Sequence, residues 1–308
     1  MSLPDPPHAS RITSDTVLGL IWMALSGTLF AIMTGIARYA AVGLDPLQAP
    51  FMRYSIGIAF ALPFLIRRGK FIVPRTRQLG RHVIRGTIHA SGTLLWFVAL
   101  MRIPLADVQA LSFLSPVFVV LGAMLFLGEA RDPRRLAVVL VAFAGTLVIL
   151  RPTGQAIDIG AVALLVSAPI FAISELMDKS ITRTESGANV VFFQSIIVTL
   201  ALLPVAILVW RTPTAAQVGW MTVVAALATL GHICWMKALI VADVSVTQPV
   251  KFLQLPLVAI VGLAAFGEVP DVFTLLGGAM IFASATYVAG REARRAAAGK
   301  KIARQAPK

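Results

Sequence analysis

Apolar residues fill long, nearly uninterrupted stretches of the chain, and polar residues collect in the short segments between them. Each stretch has about twenty residues, the length at which a helix rising 1.5 Å per residue crosses a hydrocarbon core of ~30 Å. The pattern predicts ten spans, near residues 16–37, 47–66, 83–101, 105–127, 135–150, 158–178, 188–210, 217–240, 244–266 and 272–289. The predicted fold is an all-α membrane protein of ten transmembrane helices.

Composition agrees with this pattern and excludes several function classes. Of the 308 residues 58% are apolar and 13% are charged, about half the charged share of soluble proteins. The short connectors leave no room for a sizeable soluble enzyme domain. The enzyme motifs H-E-x-x-H and G-x-S-x-G are absent, as is the ATP-binding P-loop, and the only cysteine is Cys234. We therefore predict no enzyme activity, no cofactor and no metal site.

The positive charges indicate the orientation of the chain. The net charge is +13, and most basic residues lie on connectors that share one side with both termini. The opposite side has only Arg38, Arg102, Arg151 and Arg211. Basic loops stay in the cytoplasm, so both termini are predicted to be cytoplasmic. The basic residues do not form a soluble cluster with interleaved aromatics, so nucleic acid is not a predicted partner.

The second half of the chain repeats the first. Matches at a shift of 139 include Trp96 with Trp235, Gln109 with Gln248, and Glu129 with Glu268. The predicted parts are a cytoplasmic segment 1–15, a first repeat 16–150, a second repeat 151–290 and a basic tail 291–308. Five spans per repeat give the two copies opposite orientations. Inverted repeats are typical of secondary transporters, in which a site between the halves opens to alternate sides.

Two copies of a W-x-x-A-L motif carry a family resemblance. The carrying residues are Trp96, Ala99, Leu100 and Gly128-Glu129 in the first repeat, and Trp235, Ala238, Leu239 and Gly267-Glu268 in the second. With them the chain resembles EamA-type members of the drug/metabolite transporter superfamily. The resemblance implies ten helices around a central cavity and movement of amino acids, vitamins or nucleotide-like compounds. The I-P-L-A-x-x-x-A-L-S-F stretch from Ile103 to Phe113 also resembles riboflavin or S-adenosylmethionine uptake carriers.

Polar residues within the spans are the candidate site, because a charge at bilayer depth is costly unless it faces a cavity or a partner. Thr247, Lys251 and Gln254 share one helix face. The Lys251 ammonium is predicted either to bind a substrate carboxylate or phosphate, or to form a buried ion pair. The substrate-binding candidates are Arg53, Arg85, His89, Trp96, Gln109, Ser112, Trp235, Gln248, Lys251 and Gln254.

Several of these candidates have a structural alternative. Arg85 is also compatible with snorkelling to the membrane surface, and His89 with a hydrogen-bonded packing role instead of a proton relay. The two tryptophans suit ligand stacking or interface anchoring, and Gln109 suits ligand binding or helix association. Arg53 is equally compatible with a substrate anion and a structural partner.

Acidic residues and prolines are the candidates for coupling and motion. Glu175 is the candidate coupling carboxylate, and it and Asp178 are predicted to pair with Lys179, Lys237 or Arg53. Glu129 and Glu268 are predicted to act as latches or gates. The predicted partner of Glu268 is one of Arg38, Arg102, Arg151 and Arg211. Pro116 and Pro256 are the candidate hinges.

Together these patterns predict a multi-pass carrier of the bacterial inner membrane that moves a small anionic or zwitterionic metabolite by alternating access. Export of an amino acid or related compound is the leading prediction. The alternative is uptake of a vitamin or nucleotide-like compound such as riboflavin or S-adenosylmethionine, and a non-transporting receptor or scaffold is a third class. The predicted partners are the substrate, the lipid bilayer and protons as coupling ion. Monomer and homodimer both remain open.

Overall fold

The structure is a computed structural model that describes residues 9–67, 70–71, 75–115, 117–118, 133–150, 158–182, 184–241, 250–251, 253–284 and 286–287. These residues form ten helices: α1 (Ala9–Ala40), α2 (Gln48–Ala61), α3 (Leu79–Leu100), α4 (Leu105–Ser112), α5 (Pro133–Leu150), α6 (Ile159–Ile181), α7 (Gly187–Leu208), α8 (Ala215–Val241), α9 (Gln254–Phe266) and α10 (Val272–Ser284). After α2 a 3-10 turn (Leu62–Leu65) leads into an antiparallel hairpin of β1 (Ile66–Arg67) and β2 (Lys70–Phe71).

Five of these helices are long and apolar enough to cross a membrane. The membrane-length segments are Val17–Ala40, Leu79–Leu100, Ile159–Asp178, Gly187–Leu208 and Ala215–Val241. Large apolar side chains such as Ile21, Leu208 and Ile260 are exposed on the outside of the bundle, which suits contact with lipid tails. The segments confirm the first, third, sixth, seventh and eighth predicted spans.

Two predicted spans are interrupted instead of continuous. In the span predicted at 105–127, α4 ends at Ser112 and the chain makes a turn at Phe113. In the span predicted at 244–266, a turn at Leu253 separates helical Lys251 from α9. At the shift of 139 Leu253 corresponds to Leu114, the residue after Phe113, so the two turns lie within one position of each other in the repeats. Hydropathy cannot detect such breaks, because a one-residue turn leaves the apolar run unchanged.

Local sequence signals set several helix ends. The Asp158 side chain caps α6 by accepting a hydrogen bond from Gly160 N at 2.6 Å, and Ser186 Oγ caps α7 by accepting from Asn189 N at 3.3 Å. Helix α9 ends at Gly267, whose φ of +66° is left-handed and favours glycine. This turn brings Glu268 back beside the helix, where its N–H donates to Gly262 O.

The main helix contacts join the two halves of the chain. Helix α1 packs on α8 and α9, α2 on α7 and α8, α3 on α6 and α7, and α4 on α6 and α9. A fully buried cluster crosses this interface, with Phe97, Leu100 and Leu105 from the first half and Met221 and Val258 from the second. The halves therefore form one core, and residues from both can line a cavity between them.

Candidate functional site

A cavity of about 230 Å³ lies between the two halves. Nine sequence-predicted binding residues line it: Arg53, Arg85, His89, Trp96, Gln109, Ser112, Trp235, Lys251 and Gln254. They come from α2, α3, α4, α8 and the segment around α9. The candidate coupling residue Glu175, on α6, lines the same cavity. The structure thus brings together residues that are up to about 200 positions apart in sequence.

Aromatic side chains form much of the cavity wall. Phe30, Tyr54 and Phe171 line the cavity together with Trp96 and Trp235. These three residues were not predicted from the sequence. Aromatic residues within apolar spans have the pattern of lipid-facing or core residues, so hydropathy alone does not single them out. The sequence does carry signals for them: Tyr54 directly follows the candidate Arg53, and Phe30 matches Phe171 between the repeats at a shift of 141. A wall of this kind suits the faces of a planar ligand.

Arg85 is neutralised by an acidic partner. Its Nε lies 2.6 Å from Asp178 Oδ1, and its Nη2 donates to Asp178 Oδ2 at 2.7 Å. The same Nη2 donates to Gln194 Oε1 at 3.1 Å. Arg85 is 1% exposed, so the alternative that it snorkels to the membrane surface is wrong. The pairing predicted for Asp178 is also corrected, because the crossing of α3 and α6 places Arg85 nearest to it.

Lys251 is the second cation with an acidic partner. Its Nζ lies 3.3 Å from Glu175 Oε1 and 3.4 Å from the ring centroid of Trp235. Lys251 was not among the partners predicted for Glu175, and the side chain of Lys179, one of those predicted, lies outside the described part of the structure. Lys237, another of those predicted, lies instead over the ring of Trp22 at 4.2 Å. Both Lys251 and Glu175 remain partly exposed to the cavity, so this pair is accessible to a ligand, unlike the buried pair of Arg85.

Arg53 differs from the other two cations. Its guanidinium lies 4.3 Å from the ring centroid of Tyr54, and no carboxylate pairs with it in the part of the chain that the structure describes. The Tyr54 ring is itself held in place: its hydroxyl is 2.8 Å from His89 Nε2, and His89 Nδ1 is 3.2 Å from Ser174 Oγ. His89 is thus a hydrogen-bonded wall residue that fixes the platform under Arg53.

Other polar residues of the cavity contact the backbone or face the space directly. Ser112 Oγ donates to Val108 O at 2.7 Å within α4, and His232 Nδ1 is 2.8 Å from Ala228 O within α8. The side chains of Gln109 and Gln254 contribute amide groups to the wall. Such amides can donate to and accept from the edge of a polar ligand.

Glu268 lies outside the cavity, in a contact that we name the Glu268 latch. Glu268 Oε1 is 2.7 Å from Arg38 Nη1, and Oε2 accepts from Leu105 N at 2.8 Å. Arg38 also donates to Ile103 O at 3.0 Å. The prediction of a distant basic partner is confirmed, and the partner is Arg38. The latch ties the end of α1 and the start of α4 to the end of α9.

A second contact, the Glu185 latch, lies at the opposite end of α3. Glu185 Oε2 is 3.0 Å from His82 Nε2, and Glu185 Oε1 accepts a hydrogen bond from Thr76. It joins the start of α3 to the connection between α6 and α7. The first and second halves are therefore joined by polar contacts at both ends of the cavity.

The remaining predicted residues have different outcomes. Gln248, Glu129 and Pro116 lie outside the described residues. Pro256 lies in the first turn of α9, where a helix has no hydrogen bond to lose, so it does not bend the helix itself. Among the described residues, no group of three or more His, Cys, Asp or Glu is arranged to hold a metal.

Comparison with known proteins gives the family. The model of the EamA-like transporter family matches residues 17–151 and again 158–290. The chain belongs to the EamA-like transporter family. This EamA family member is a transporter of the bacterial inner membrane with several membrane-spanning helices.

Three curated relatives show what similar chains are named for. A riboflavin transporter of Rhizobium johnstonii is 30% identical, over 92% of this chain and 94% of the relative. An S-adenosylmethionine uptake transporter of Rickettsia prowazekii is 26% identical, over 88% of this chain and 92% of the relative. The pseudopaline exporter CntI of Pseudomonas aeruginosa is 26% identical, over 85% of this chain and 93% of the relative. The relatives are transporters by name, and they differ in substrate and direction.

Proposed function

We propose that this chain takes up a planar vitamin or nucleotide-like metabolite, with riboflavin as the first candidate, by alternating access between two inverted repeats. The observation that carries the proposal is the cavity wall, in which Trp96, Trp235, Phe171 and Tyr54 surround a space with amide groups at its edge. A flat heteroaromatic ring offers faces for the aromatic residues and hydrogen-bonding edges for Gln109 and the other amides.

The relatives support the uptake alternative better than amino acid export. One of the three relatives is named a riboflavin transporter, and another is named an S-adenosylmethionine uptake transporter. The relative named as a pseudopaline exporter shows that similar chains also work outward, so direction needs its own measurement. Export of a small anionic or zwitterionic metabolite remains the second candidate, and the Arg53 guanidinium without a carboxylate partner favours it.

The two interrupted segments supply the motion that alternating access requires. The turns at Phe113 and Leu253 adjoin the cavity residues Ser112 and Gln254. Helices α4 and α9, which flank these turns, pack against each other. Helices interrupted at the binding site are a feature of carriers whose repeats move against one another. In this proposal the Glu268 and Glu185 latches break in turn, and Pro256 in the first turn of α9 lies beside one of the two helix breaks.

The Lys251–Glu175 pair is the proposed link between substrate and coupling ion. Protonation of Glu175 would remove the charge that holds Lys251 at 3.3 Å. The lysine would then be available to a ligand group or would be expelled from its position over Trp235. In this proposal an inward-moving proton accompanies the uptake of substrate.

Counterflow in proteoliposomes tests the proposal. Vesicles preloaded with unlabelled riboflavin receive trace labelled riboflavin outside, and the label accumulates if the chain exchanges it. S-adenosylmethionine and a mixture of amino acids serve as alternative preloads. Trp235→Leu should lower riboflavin exchange, whereas the exposed Trp220→Leu should not. Exchange of amino acids without exchange of riboflavin or S-adenosylmethionine would overturn the uptake proposal in favour of the second candidate.

A further inference from the structure

Three residues beside the cavity have buried N–H groups without hydrogen-bond partners among the described residues. These groups are Arg53 Nε, Gln194 Nε2, Arg85 Nη1 and also Arg85 Nε, which contacts Asp178 as an ion pair. Arg53, Arg85 and Gln194 are only 7%, 1% and 2% exposed. A buried donor without an acceptor costs free energy, so an acceptor placed among these three residues would be stabilising.

The three residues are also close to one another. Arg85 Nη2 donates to Gln194 Oε1, so one contact joins two of them directly. Arg53 and Gln194 line a small space of about 10 Å³ that adjoins the main cavity, with Tyr54 and His232 in both walls. Such a space has room for roughly one water molecule. A larger acceptor must therefore approach from the main cavity, which Arg53 also lines.

The charge of this region is positive. The two acids of the cavity wall are engaged, Asp178 by Arg85 and Glu175 by Lys251. That leaves the Arg53 guanidinium as a buried cation without a carboxylate partner in the described part of the chain. Burial of an unpaired cation is strongly unfavourable, whereas a guanidinium next to a carboxylate or phosphate makes charge-assisted hydrogen bonds.

Resting on the proposed carrier of planar metabolites, but favouring an acidic member of that class over neutral riboflavin, we infer that the substrate carries a carboxylate or a phosphate, which binds at Arg53 with Arg85 and Gln194 beside it. The aromatic wall would hold the planar ring of the same molecule. The chain of contacts from Tyr54 through His89 to Ser174 fixes the face of the Tyr54 ring, and that ring orients the guanidinium. Arg53 is then a specificity residue that separates acidic from neutral ring compounds.

A series of flavins with the same ring tests this inference. Riboflavin and lumiflavin are neutral, riboflavin phosphate carries a phosphate, and an isoalloxazine with a carboxymethyl side chain carries a carboxylate. Binding is measured on the purified full chain by the ligand-induced rise in unfolding temperature and by quenching of tryptophan fluorescence. We expect at least one acidic flavin to bind about tenfold more tightly than its neutral counterpart.

Variants at Arg53 and at an exposed arginine complete the test. Arg53→Gln should remove the advantage of the acidic flavin over its neutral counterpart, and Arg53→Lys should retain part of that advantage. The exposed Arg77→Gln should change the binding of neither flavin. Equal binding of acidic and neutral flavins to the native chain, or an advantage that survives Arg53→Gln, would overturn the inference.

Small anions separate this inference from the proposed function. Phosphate and acetate are compared with chloride at constant ionic strength. If no flavin binds but phosphate or acetate stabilises the native chain and not Arg53→Gln, the acidic subsite stands and the flavin proposal fails. If riboflavin binds and neither the acidic flavins nor the anions depend on Arg53, the flavin proposal stands and the subsite fails. If no flavin binds and the effects of phosphate and acetate do not depend on Arg53, both the flavin proposal and the acidic subsite fail.

Discussion

The two halves of the chain contribute equivalent positions to the cavity wall but different chemistry. Trp96 and Trp235 correspond at a shift of 139, and both line the cavity. At the same shift Ser112 corresponds to Lys251. The Ser112 hydroxyl donates a hydrogen bond within its own helix, whereas the equivalent position in the second half carries an ammonium group. The aromatic wall is therefore common to both halves, whereas the charge at this position is present in one half only.

The charged positions differ in the same way elsewhere. At a shift of 141, Arg53 corresponds to Gln194, and Thr34 corresponds to Glu175. Thr34 is buried and donates to Phe30 O within its helix, whereas Glu175 reaches the cavity. The difference teaches that the repeated scaffold supplies the aromatic wall of the cavity, while the charged groups of the wall come from positions that differ between the halves.

The largest effect is expected at the buried ion pair of Arg85 and Asp178, which is not repeated at the corresponding positions of the two halves. Arg85→Met leaves the Asp178 carboxylate buried without its cation, which should lower the free energy of unfolding by about 3–5 kcal/mol. Denaturant unfolding in detergent measures this. The double variant Arg85→Met with Asp178→Leu should recover most of the loss, and the exposed Arg77→Met should show none. A single variant as stable as the native chain would contradict a structural role for the pair.

The next largest effect is expected at Glu175, the candidate carboxylate for proton coupling, since the equivalent position in the first half is Thr34. Glu175→Gln should retain exchange of substrate across vesicles but lose accumulation driven by a pH gradient, because the amide cannot carry a proton. Accumulation with and without an imposed gradient measures it. Asp45→Asn is the control, since that side chain only accepts a hydrogen bond from Leu47 N. Undiminished gradient-driven accumulation in Glu175→Gln would remove Glu175 from the coupling mechanism.

The tryptophans test the part that both halves share. Trp96→Leu and Trp235→Leu should each raise the half-saturating riboflavin concentration by about tenfold, since a lost aromatic contact is worth about 1–2 kcal/mol. Trp235→Leu also removes the ring under Lys251 Nζ, so it should have the larger effect of the two. Saturation curves for uptake provide the measurement, with Trp220→Leu as control. Unchanged saturation in both variants would place the ligand elsewhere.

The smallest effect is expected at the Glu268 latch, whose side chains are partly exposed. Glu268→Gln should cost about 1 kcal/mol or less of stability. The main effect of Glu268→Gln should be on access to the cavity. We expect it to speed the labelling of a cysteine introduced by Ser112→Cys, in a chain that also carries Cys234→Ala, by a thiol reagent added on the side of the Glu268 latch. Cys234 is the only native cysteine, which keeps the assay specific. An unaltered labelling rate would show that the latch does not control access.

Sequence reasoning located the candidate site well but paired its charges poorly. Nine of the ten predicted binding residues line one cavity, because polar groups within apolar helices must face a cavity or a partner. The partners predicted for Glu175 and Asp178 were the basic residues Lys179, Lys237 and Arg53, chosen by charge. The structure instead pairs them with Lys251 and Arg85, 76 and 93 residues away, through helix crossings that periodicity does not specify.

The sequence by itself determined that the chain crosses a membrane, that it is duplicated, and which polar residues are candidates for the site. Hydropathy and repetition are carried by residue identity and order, so they need no coordinates. Only the tertiary structure decided that Arg85 and Lys251 are paired while Arg53 has no carboxylate partner in the described chain, and that Phe30, Tyr54 and Phe171 belong to the cavity. Pairing and enclosure depend on how helices cross, and distances of a few ångströms between segments remote in sequence determine both.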